Sequence, residues 1–402
     1  MIWMAWLACT GTTTGDDTGP TDTGVAIDCS EYALQLANPV GELEGAWDAN
    51  RAQLVFFGGN LAPAEECQTR TEFGDETWIF IPQCETFVPL EIAGPSPRGR
   101  FMVAMDADRD QLLLFGGRYR DGSSGSYTLH DDLWALDLAS QTWTELAPVN
   151  SGPSARVNGA MAVSGTTLVL FGGNTSTSGA SYDPQDDVWS LDLDTLEWTD
   201  RGSTGGPDDK LFHAGAMSDD GSTYYLYGGG DENAFFGDFH TDTWALDVAD
   251  WSWSEVDDGA DGPLGRLAPS LVHDSDNNRL IMFGGHDDGL LGNTNDTWAL
   301  DLGGGGWSTV VTGDVIDEGG NGFCDFPTDF TAVDFTSPER RHQHVSTRAG
   351  DRLMVFGGKT DCGLINDVWQ FDLATDSWTE LSTASAGESC VRASANCSEH
   401  CF

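Results

Sequence analysis

The chain has 402 residues, of which 65 are acidic and 18 are basic, so its formal net charge at pH 7 is -47. Nucleic acids and anionic membrane surfaces repel such a chain, and the sequence therefore excludes both as direct partners. Beyond the N-terminus there is no run of 18 apolar residues, and no transmembrane helix is predicted. The acidic surface is interpreted as solubilising, with binding of cations or cationic partners as the alternative.

The first segment, residues 1–9, resembles the start of a bacterial lipoprotein. A short apolar stretch ends in Leu7 and Ala8, and Cys9 follows as the residue that would take the lipid. Residues 10–24 are rich in Thr, Gly and Asp, which is typical of a flexible tether. No Lys or Arg precedes the apolar stretch, so another signal or an ordinary hydrophobic N-terminus is the alternative. The sequence predicts an exported protein of the cell envelope, membrane-anchored or extracellular.

From residue 42 onward, a pair of glycines closes a short apolar run six times. The run from Gln111 to Phe115, which precedes one such pair, is an example. The pairs begin at Gly58, Gly116, Gly172, Gly228, Gly284 and Gly357. Successive steps are 58, 56, 56, 56 and 73 residues, and a period of this kind predicts a repeat architecture.

Each glycine pair is followed by two aromatic residues nine positions apart. They are Trp78/Phe87, Trp134/Trp143, Trp189/Trp198, Trp244/Trp253, Trp298/Trp307 and Trp369/Trp378. An aspartate lies two residues before the first tryptophan in the last five copies, at Asp132, Asp187, Asp242, Asp296 and Asp367. The first copy has Glu76 there, and it has Ile81 where the others have a second aspartate, so it is the least regular repeat. Together these features resemble the Kelch family of β-propellers.

The resemblance implies an all-β, six-bladed Kelch-type propeller with four antiparallel strands per blade, over residues 42–382. In the second repeat the strands are predicted at Phe101 to Asp106, Gln111 to Phe115, Leu133 to Leu138 and Thr142 to Leu146. The tryptophans are expected to fill the space between neighbouring blades. Residues 25–41 are expected to form an N-terminal clasp, 312–338 a folded insertion, and 383–402 a Cys-rich tail.

Eight cysteines besides Cys9 are candidates for disulfides at the seam between the first and last blades. They are Cys29, Cys67, Cys84, Cys324, Cys362, Cys390, Cys397 and Cys401. Bonds there would strengthen ring closure, and the best single pairing from the sequence is Cys324 with Cys362. The alternative is a metal site formed by Cys390, Cys397, His400 and Cys401, although this spacing matches no established zinc pattern.

Seven of the 18 basic residues lie just before the inner strands of repeats two to six. They are Arg98, Arg100, Arg156, Lys210, Arg266, Arg340 and Arg341. One hypothesis is a cationic collar at a mouth of the central channel that binds carboxylates, sulfates or phosphates. In the other, these residues pair with the aspartate before the first tryptophan and lock blade to blade.

The sequence does not predict catalytic residues, a metal site or a cofactor. Galactose oxidase, a copper enzyme on a similar ring, would require two His, two Tyr and a Cys to converge, and the middle repeats lack the Cys. The predicted function is a monomeric, non-catalytic module that binds a protein or glycan through its loop face. The membrane is reached only through the lipid anchor. The alternative is an enzyme acting on a sugar or another small polar substrate at the channel mouth.

Overall fold

The computed structural model describes residues 27–62, 71–234, 239–287, 292–316, 330–332, 334–360 and 363–385. These residues form β-strands joined by turns and loops, with two short 3-10 turns at Cys29–Glu31 and Pro82–Cys84. No helix in this part of the chain is long and apolar enough to cross a bilayer.

Six four-stranded antiparallel sheets account for most of the strands. Blade one contains β1 (Glu44–Asp48), β2 (Gln53–Phe57), β3 (Thr77–Ile81) and β4 (Thr86–Leu90). Blade two and its loop contain β5 (Met102–Asp106), β6 (Gln111–Phe115), β7 (Arg118–Tyr119), β8 (Thr128–Leu129), β9 (Leu133–Asp137) and β10 (Thr142–Leu146). Blade three contains β11 (Ala160–Ser164), β12 (Thr167–Phe171), β13 (Val188–Asp192) and β14 (Glu197–Gly202).

The second half of the chain repeats this order. Blade four contains β15 (Ala214–Met217), β16 (Thr223–Tyr227), β17 (Thr243–Asp247) and β18 (Ser252–Asp257). Blade five, its loop and the insertion contain β19 (Ser270–Asp274), β20 (Arg279–Phe283), β21 (His286–Asp287), β22 (Gly292–Asn293), β23 (Thr297–Asp301), β24 (Gly306–Val311), β25 (Val315–Ile316) and β26 (Phe330–Ala332). Blade six and its loops contain β27 (Arg341–His342), β28 (Val345–Ala349), β29 (Arg352–Phe356), β30 (Lys359–Thr360), β31 (Val368–Asp372) and β32 (Ser377–Ser382).

The inner strands contact one another in the order β1, β5, β11, β15, β19, β28 and back to β1, so the six sheets close into a ring. The predicted six-bladed propeller and its four strands per blade are confirmed. Because the strands are antiparallel, the loops after the glycine pairs share one face with the connections between blades. This face is called the loop face below. The second strand of each blade is apolar and largely buried, since the sheet is covered on both sides.

Aromatic contacts between blades follow the repeat. Trp143 of blade two packs edge-on against Phe57 of blade one with ring centroids 5.6 Å apart. The equivalent pairs are Trp198 with Phe115, Trp253 with Phe171, Trp307 with Tyr227 and Trp378 with Phe283. At the seam, Phe87 of blade one lies 5.2 Å from Phe356 of blade six. The second aromatic residue of each repeat thus holds its blade to the preceding one, as the sequence predicts.

The second glycine of each pair has a left-handed backbone and donates to the next blade. Gly59 has φ 97°, and its N–H donates to the carbonyl of Arg98. A Cβ at Gly59 would lie 2.6 Å from the Val40 side chain, so only glycine fits this junction. The last pair closes the ring in the same way, because the N–H of Gly358 donates to the carbonyl of Val40.

The N-terminal segment, residues 27–43, crosses the seam between blades one and six. On blade one, Phe87 N–H donates to the Gln35 carbonyl. On blade six, Val40 N–H donates to the Ile365 carbonyl, and the Asn366 amide donates to the Ala37 carbonyl. The segment and both blades share one apolar cluster, so the segment contacts both sides of the ring closure.

One disulfide, Cys29 with Cys84, joins the N-terminal segment to blade one. Both cysteines are among the predicted candidates, and the bond lies beside the seam without crossing to blade six. The other candidates, and therefore the predicted Cys324 to Cys362 pairing and the alternative tail metal site, fall outside the described residues, as do Cys9 and the tether.

The described part of the insertion has structure of its own at its base. Strands β25 and β26 pair with each other. Asp314 accepts from the backbone of Asp334 and pairs with Arg340, with its Oδ2 3.2 Å from the Arg340 Nε. Arg340 and Asp314 are both almost fully buried, so this pair anchors the insertion to blade six.

Candidate functional site

A ring of six residues surrounds the loop-face mouth of the central channel, one from each blade. They are Glu42, Arg100, Asn158, Phe212, Ala268 and Gln343, and all have left-handed φ values between 47° and 59°. Five of the six residues donate their backbone N–H to the carbonyl of the ring residue in the preceding blade. Glu42 donates to Gln343, Arg100 to Glu42, Asn158 to Arg100, Phe212 to Asn158 and Ala268 to Phe212. These bonds are 2.6 to 3.1 Å long.

None of the six is glycine, although a left-handed backbone costs an ordinary residue roughly 1–2 kcal/mol. The inter-blade hydrogen bonds hold the conformation in spite of this cost. The result is a rigid backbone ring on which six different side chains are displayed around one opening, which is an arrangement suited to recognition.

Glu42 is fully buried in this ring and is surrounded by cations. The Arg100 Nε and the Arg118 Nη2 each lie 2.9 Å from Glu42 Oε2, and the Lys359 ammonium contacts Glu42 Oε1. Burial alone would raise the pKa of Glu42, but the three cations outweigh burial and hold the pKa well below its usual range. The carboxylate is therefore ionised in the folded protein.

Two arginines meet at the Tyr127 ring beside this carboxylate. The guanidinium carbons of Arg118 and Arg120 lie 4.0 and 4.3 Å from the ring centroid of Tyr127. Four buried polar atoms here have no hydrogen-bond partner among the described residues: the Nε of Arg118, the Nε and Nη2 of Arg120 and the hydroxyl of Tyr127. Nitrogens of guanidinium groups can only donate, so the three unpartnered arginine nitrogens require an acceptor.

We call Arg100, Arg118, Arg120 and Lys359, with Glu42 and Tyr127, the cationic cluster. It places four cations against one carboxylate, a local excess of three positive charges in a chain of net charge -47. Burial is the main cause that lowers the pKa of Arg118, and repulsion from Arg100 lowers it further. Burial also lowers the pKa of Lys359. A further anion at this site would relieve the repulsion.

Five of the seven cations proposed as a collar lie in buried ion pairs. Arg98 donates to both oxygens of Asp132, with Nη1 to Oδ1 at 2.6 Å and Nη2 to Oδ2 at 2.9 Å. The equivalent pairs are Arg156 with Asp187, Lys210 with Asp242, Arg266 with Asp296 and Arg341 with Asp367. Binding of an external anion by these five residues stays a prediction, and it would require these pairs to separate.

These pairs form within one repeat, while the link between blades comes from the backbone. Arg98 donates to the carbonyl of Gly116 and to Asp132 in its own blade, and its own carbonyl accepts from Gly59 in the blade before. Asp132 also accepts from the indole N–H of Trp134 at 2.8 Å. The aspartate of the Asp-x-Trp motif thus accepts hydrogen bonds from both the basic residue and the first tryptophan.

Blade one departs from this motif at both positions. Val40 lies where the other blades have the basic residue, as its hydrogen bond from Gly358 shows, and Glu76 replaces the aspartate. Glu76 is exposed and retains only the bond from the Trp78 indole, at 3.0 Å. Blade one thus lacks both the basic residue and the aspartate that pairs with it in the other blades.

The other two collar candidates have different partners. Arg100 belongs to the cationic cluster and also lies over the Phe212 ring, 5.0 Å from its centroid. Arg340 pairs with Asp314 of the insertion. The seven predicted residues therefore have three kinds of partner, and their binding of a shared ligand stays a prediction.

Sequence reasoning missed Glu42, Arg118, Arg120 and Lys359. A usable signal exists for two of them, because Arg118 and Lys359 each directly follow a glycine pair and occupy equivalent places in their repeats. The sequence does not show that these two loops meet, since Lys359 and Glu42 are 317 positions apart. Ring closure alone brings them into contact.

The aromatic residues of the loops after the glycine pairs are mostly packed. Tyr127 is buried beneath the blade-three loop, where its N–H donates to the Thr177 carbonyl. Phe239 and Tyr182 pack against the small apolar cluster around Phe212. Phe235 and Phe236 fall outside the described residues.

A protein-family model matches this chain. The model of the "KLHDC2/KLHL20/DRC7 Kelch-repeats domain" matches residues 45–273, 183–322 and 242–400, which together cover most of the chain.

Several curated proteins are similar to part of this chain in sequence. The chain is 30% identical over 275 residues to acyl-CoA-binding domain-containing protein 4 of Arabidopsis thaliana, covering 66% of the chain and 37% of the relative. It is 30% identical over 204 residues to Kelch domain-containing protein 2 of Bos taurus, covering 46% of the chain and 47% of the relative. The chain thus spans less than half the length of either relative.

Among solved structures, one titled "Structure of YjhT" is similar with a TM-score of 0.59 at 16% identity. The match covers 86% of this chain and 98% of that one. At this level of identity the likeness concerns the fold alone.

Proposed function

Since the chain belongs to the Kelch-repeat β-propeller family, we propose that it is a non-catalytic module that binds a carboxylate-bearing segment of a protein partner on its loop face. The observation that carries this proposal is the set of four buried, unpartnered polar atoms on Arg118, Arg120 and Tyr127. A carboxylate accepts two hydrogen bonds from one guanidinium, and charge-assisted bonds of this kind are the strong ones.

The charge distribution narrows the chemistry of the partner. Away from the cationic cluster the chain is strongly acidic, so a partner acidic over its whole surface would be repelled. The segment that fits presents one carboxylate to Arg118 and Arg120 and carries neutral or basic residues around it.

The buried Arg–Asp pairs also support binding over catalysis. In each pair the guanidinium or ammonium group is directed to a fixed carboxylate and serves the scaffold. These pairs make the ring rigid, and a rigid ring that displays varied loops is suited to holding a partner.

A displayed library of random peptides tests this function. We expect the purified protein to enrich peptides with an Asp, a Glu or a free C-terminal carboxylate, and replacement of that group by an amide to weaken binding by about tenfold or more. The double variant Arg118→Met, Arg120→Met should lose this selection. The control Arg201→Met changes an arginine that also lies over an aromatic ring, that of Trp251, but outside the cationic cluster. Enrichment of the same peptides by the double variant would overturn the proposed function.

We further propose that the protein acts at the cell envelope as an exported monomer, held by a lipid on Cys9. The Leu7, Ala8, Cys9 sequence and the Cys29 to Cys84 bond support this, because disulfides persist in oxidising compartments. Membrane fractionation of the wild type and Cys9→Ser in a bacterial host tests it. Equal recovery of both proteins in the membrane fraction would contradict the anchor.

A further inference from the structure

The central channel continues inward from the six-residue ring, whose residues line its mouth, as a space of about 320 Å³. This volume lies at the lower end of the range of small-molecule sites, roughly 300–1,000 Å³. Its walls come from the inner strands and carry small or flexible side chains such as Met102, Ala162 and Ala216. At the end opposite the loop face, Arg348 of blade six pairs with Asp219 of blade four across blade five.

Several side chains that line this channel are more than nine-tenths buried and have polar atoms without a hydrogen-bond partner among the described residues. They include Asn158 through its Nδ2, Gln343 through both Nε2 and Oε1, His213 through both ring nitrogens, and His344 through its Nδ1. Asn158 and Gln343 belong to the ring, and His213 and His344 directly follow ring residues. Buried polar groups normally have partners, so these atoms around one cavity indicate a ligand or bound water.

These groups can both donate and accept. The Gln343 amide supplies one acceptor and an NH₂ donor, and a neutral imidazole supplies one of each. Hydroxyl groups match this mixture, since each can donate and accept in turn. Apolar walls formed by methionine and alanine would cover the carbon skeleton of such a ligand.

Apart from Glu42, Arg100 and Arg348, which are held in ion pairs, the channel lining disfavours charge of either sign. Burial, together with repulsion from Lys210, lowers the pKa of His213 to about 3, so its imidazole is neutral. Burial raises the pKa of the Glu44 carboxyl, which also lines the channel, to about 8. A cavity that neutralises both an acid and a base penalises ionised ligands in the same way.

We propose that the channel is a binding site for a neutral, polyhydroxylated small molecule, held by the Gln343 and Asn158 amides and the His213 imidazole. The mouth admits the ligand beside Ala268, the smallest side chain of the ring. Arg100 lies opposite Ala268 in the ring, where its ion pair with Glu42 and its contact with the Phe212 ring hold it in place. Glu42 and Arg100 of the cationic cluster also line this channel, whereas Arg118, Arg120 and Tyr127 do not.

Isothermal titration and ligand-detected NMR at pH 7 test the proposal, with glucose, galactose, myo-inositol and sorbitol as probes. We expect saturable one-to-one binding of at least one probe. Glucosamine and glucuronate, which are charged, should bind about tenfold more weakly or not at all. Gln343→Met removes both polar atoms at nearly constant volume and should weaken binding by roughly tenfold.

Two further variants make the result decisive. Gln141→Met is the matched control, because Gln141 also has a left-handed backbone, φ 52°, but lies exposed in the turn between β9 and β10. Ala162→Leu narrows the channel without changing the ring, and it should abolish binding even if Gln343→Met fails to fold. The proposal is overturned if no neutral probe saturates, which would leave the channel to water, or if Ala162→Leu binds as the wild type does.

Discussion

Glu42 and Glu44 lie two residues apart at the channel, yet their carboxyls have opposite pKa shifts. Glu42 meets three cations, which outweigh its burial and hold its pKa well below the usual range. Burial alone raises the pKa of Glu44 to about 8. Two like side chains therefore have opposite roles: Glu42 is a fixed anion within the cationic cluster, and Glu44 is a neutral acid in the channel below it.

Glu44→Gln should stabilise the protein at alkaline pH. A carboxyl whose pKa is raised in the folded state stabilises fully below its unfolded pKa of about 4.5, and this stabilisation is lost as the pH rises to about 8. The pKa shift limits the resulting loss in the free energy of unfolding to about 5 kcal/mol. Water in the channel should reduce this loss to about 2 kcal/mol. Urea unfolding at pH 5 and pH 9 measures it, with the exposed Glu145→Gln as control. An equal difference from wild type at both pH values would contradict this.

Glu42→Gln should have the opposite pH dependence. The variant leaves Arg100, Arg118 and Lys359 buried without their carboxylate, and we expect a loss of about 3 kcal/mol at pH 7. Because the pKa of Glu42 is lowered in the folded state, its contribution is complete above about pH 4.5 and is lost as the pH falls further. The gap between wild type and variant should therefore narrow from pH 7 to pH 3. Denaturant unfolding across this range measures the gap, and a constant gap would show that Glu42 is not the ionised centre of the cluster.

The repeat could be predicted from the sequence, but the candidate site could not. The Gly-Gly strand, the Asp-x-Trp motif and the second tryptophan recur at fixed spacing. They can therefore be recognised in the sequence, because they have the same structural role in each repeat. The cationic cluster joins Glu42, Arg118 and Lys359 from blades one, two and six, and only closure of the ring brings them together. His342 and His344 of blade six show a similar limit, because their spacing predicts two side chains on one face of a single inner strand. The kink at Gln343, φ 49°, breaks the strand between them, so His342 bonds to Asn293 while His344 bonds to Ser270.

A Gly-Pro pair precedes each of blades two to five and is a further feature of the repeat. The glycine of each pair packs against a tryptophan, and this contact can be tested. A Cβ at Gly206 would lie 2.5 Å from the Trp253 Cδ1, and Gly94, Gly152 and Gly262 meet their tryptophans in the same way. Gly206→Ala should therefore displace Trp253 from Phe171 and cost about 1–3 kcal/mol. Gly74→Ala is the control, since a Cβ there meets its nearest side chain at 3.5 Å. Thermal unfolding monitored by tryptophan fluorescence compares the two, and equal midpoints would contradict the tight contact.

The shared aspartate gives the last prediction. Asp187 accepts from Arg156 at 2.6 and 2.9 Å and from the Trp189 indole at 2.7 Å, while the Arg156 side chain is almost fully buried. Asp187→Asn should cost about 3 kcal/mol, because it leaves a buried guanidinium without its counter-charge. The neighbouring Asp186→Asn, which is exposed, should change the free energy of unfolding by less than about 0.5 kcal/mol.

A double-mutant cycle separates the pair from general damage to blade three. Arg156→Met removes the cation and keeps most of the apolar side chain, so combining it with Asp187→Asn should cost less than the sum of the two single changes. We expect a coupling of at least about 1 kcal/mol in denaturant unfolding. Additive costs would mean that Arg156 and Asp187 stabilise the blade independently. In that case the buried pairs would be free to separate, and the predicted collar of arginines would again be a candidate site for anions.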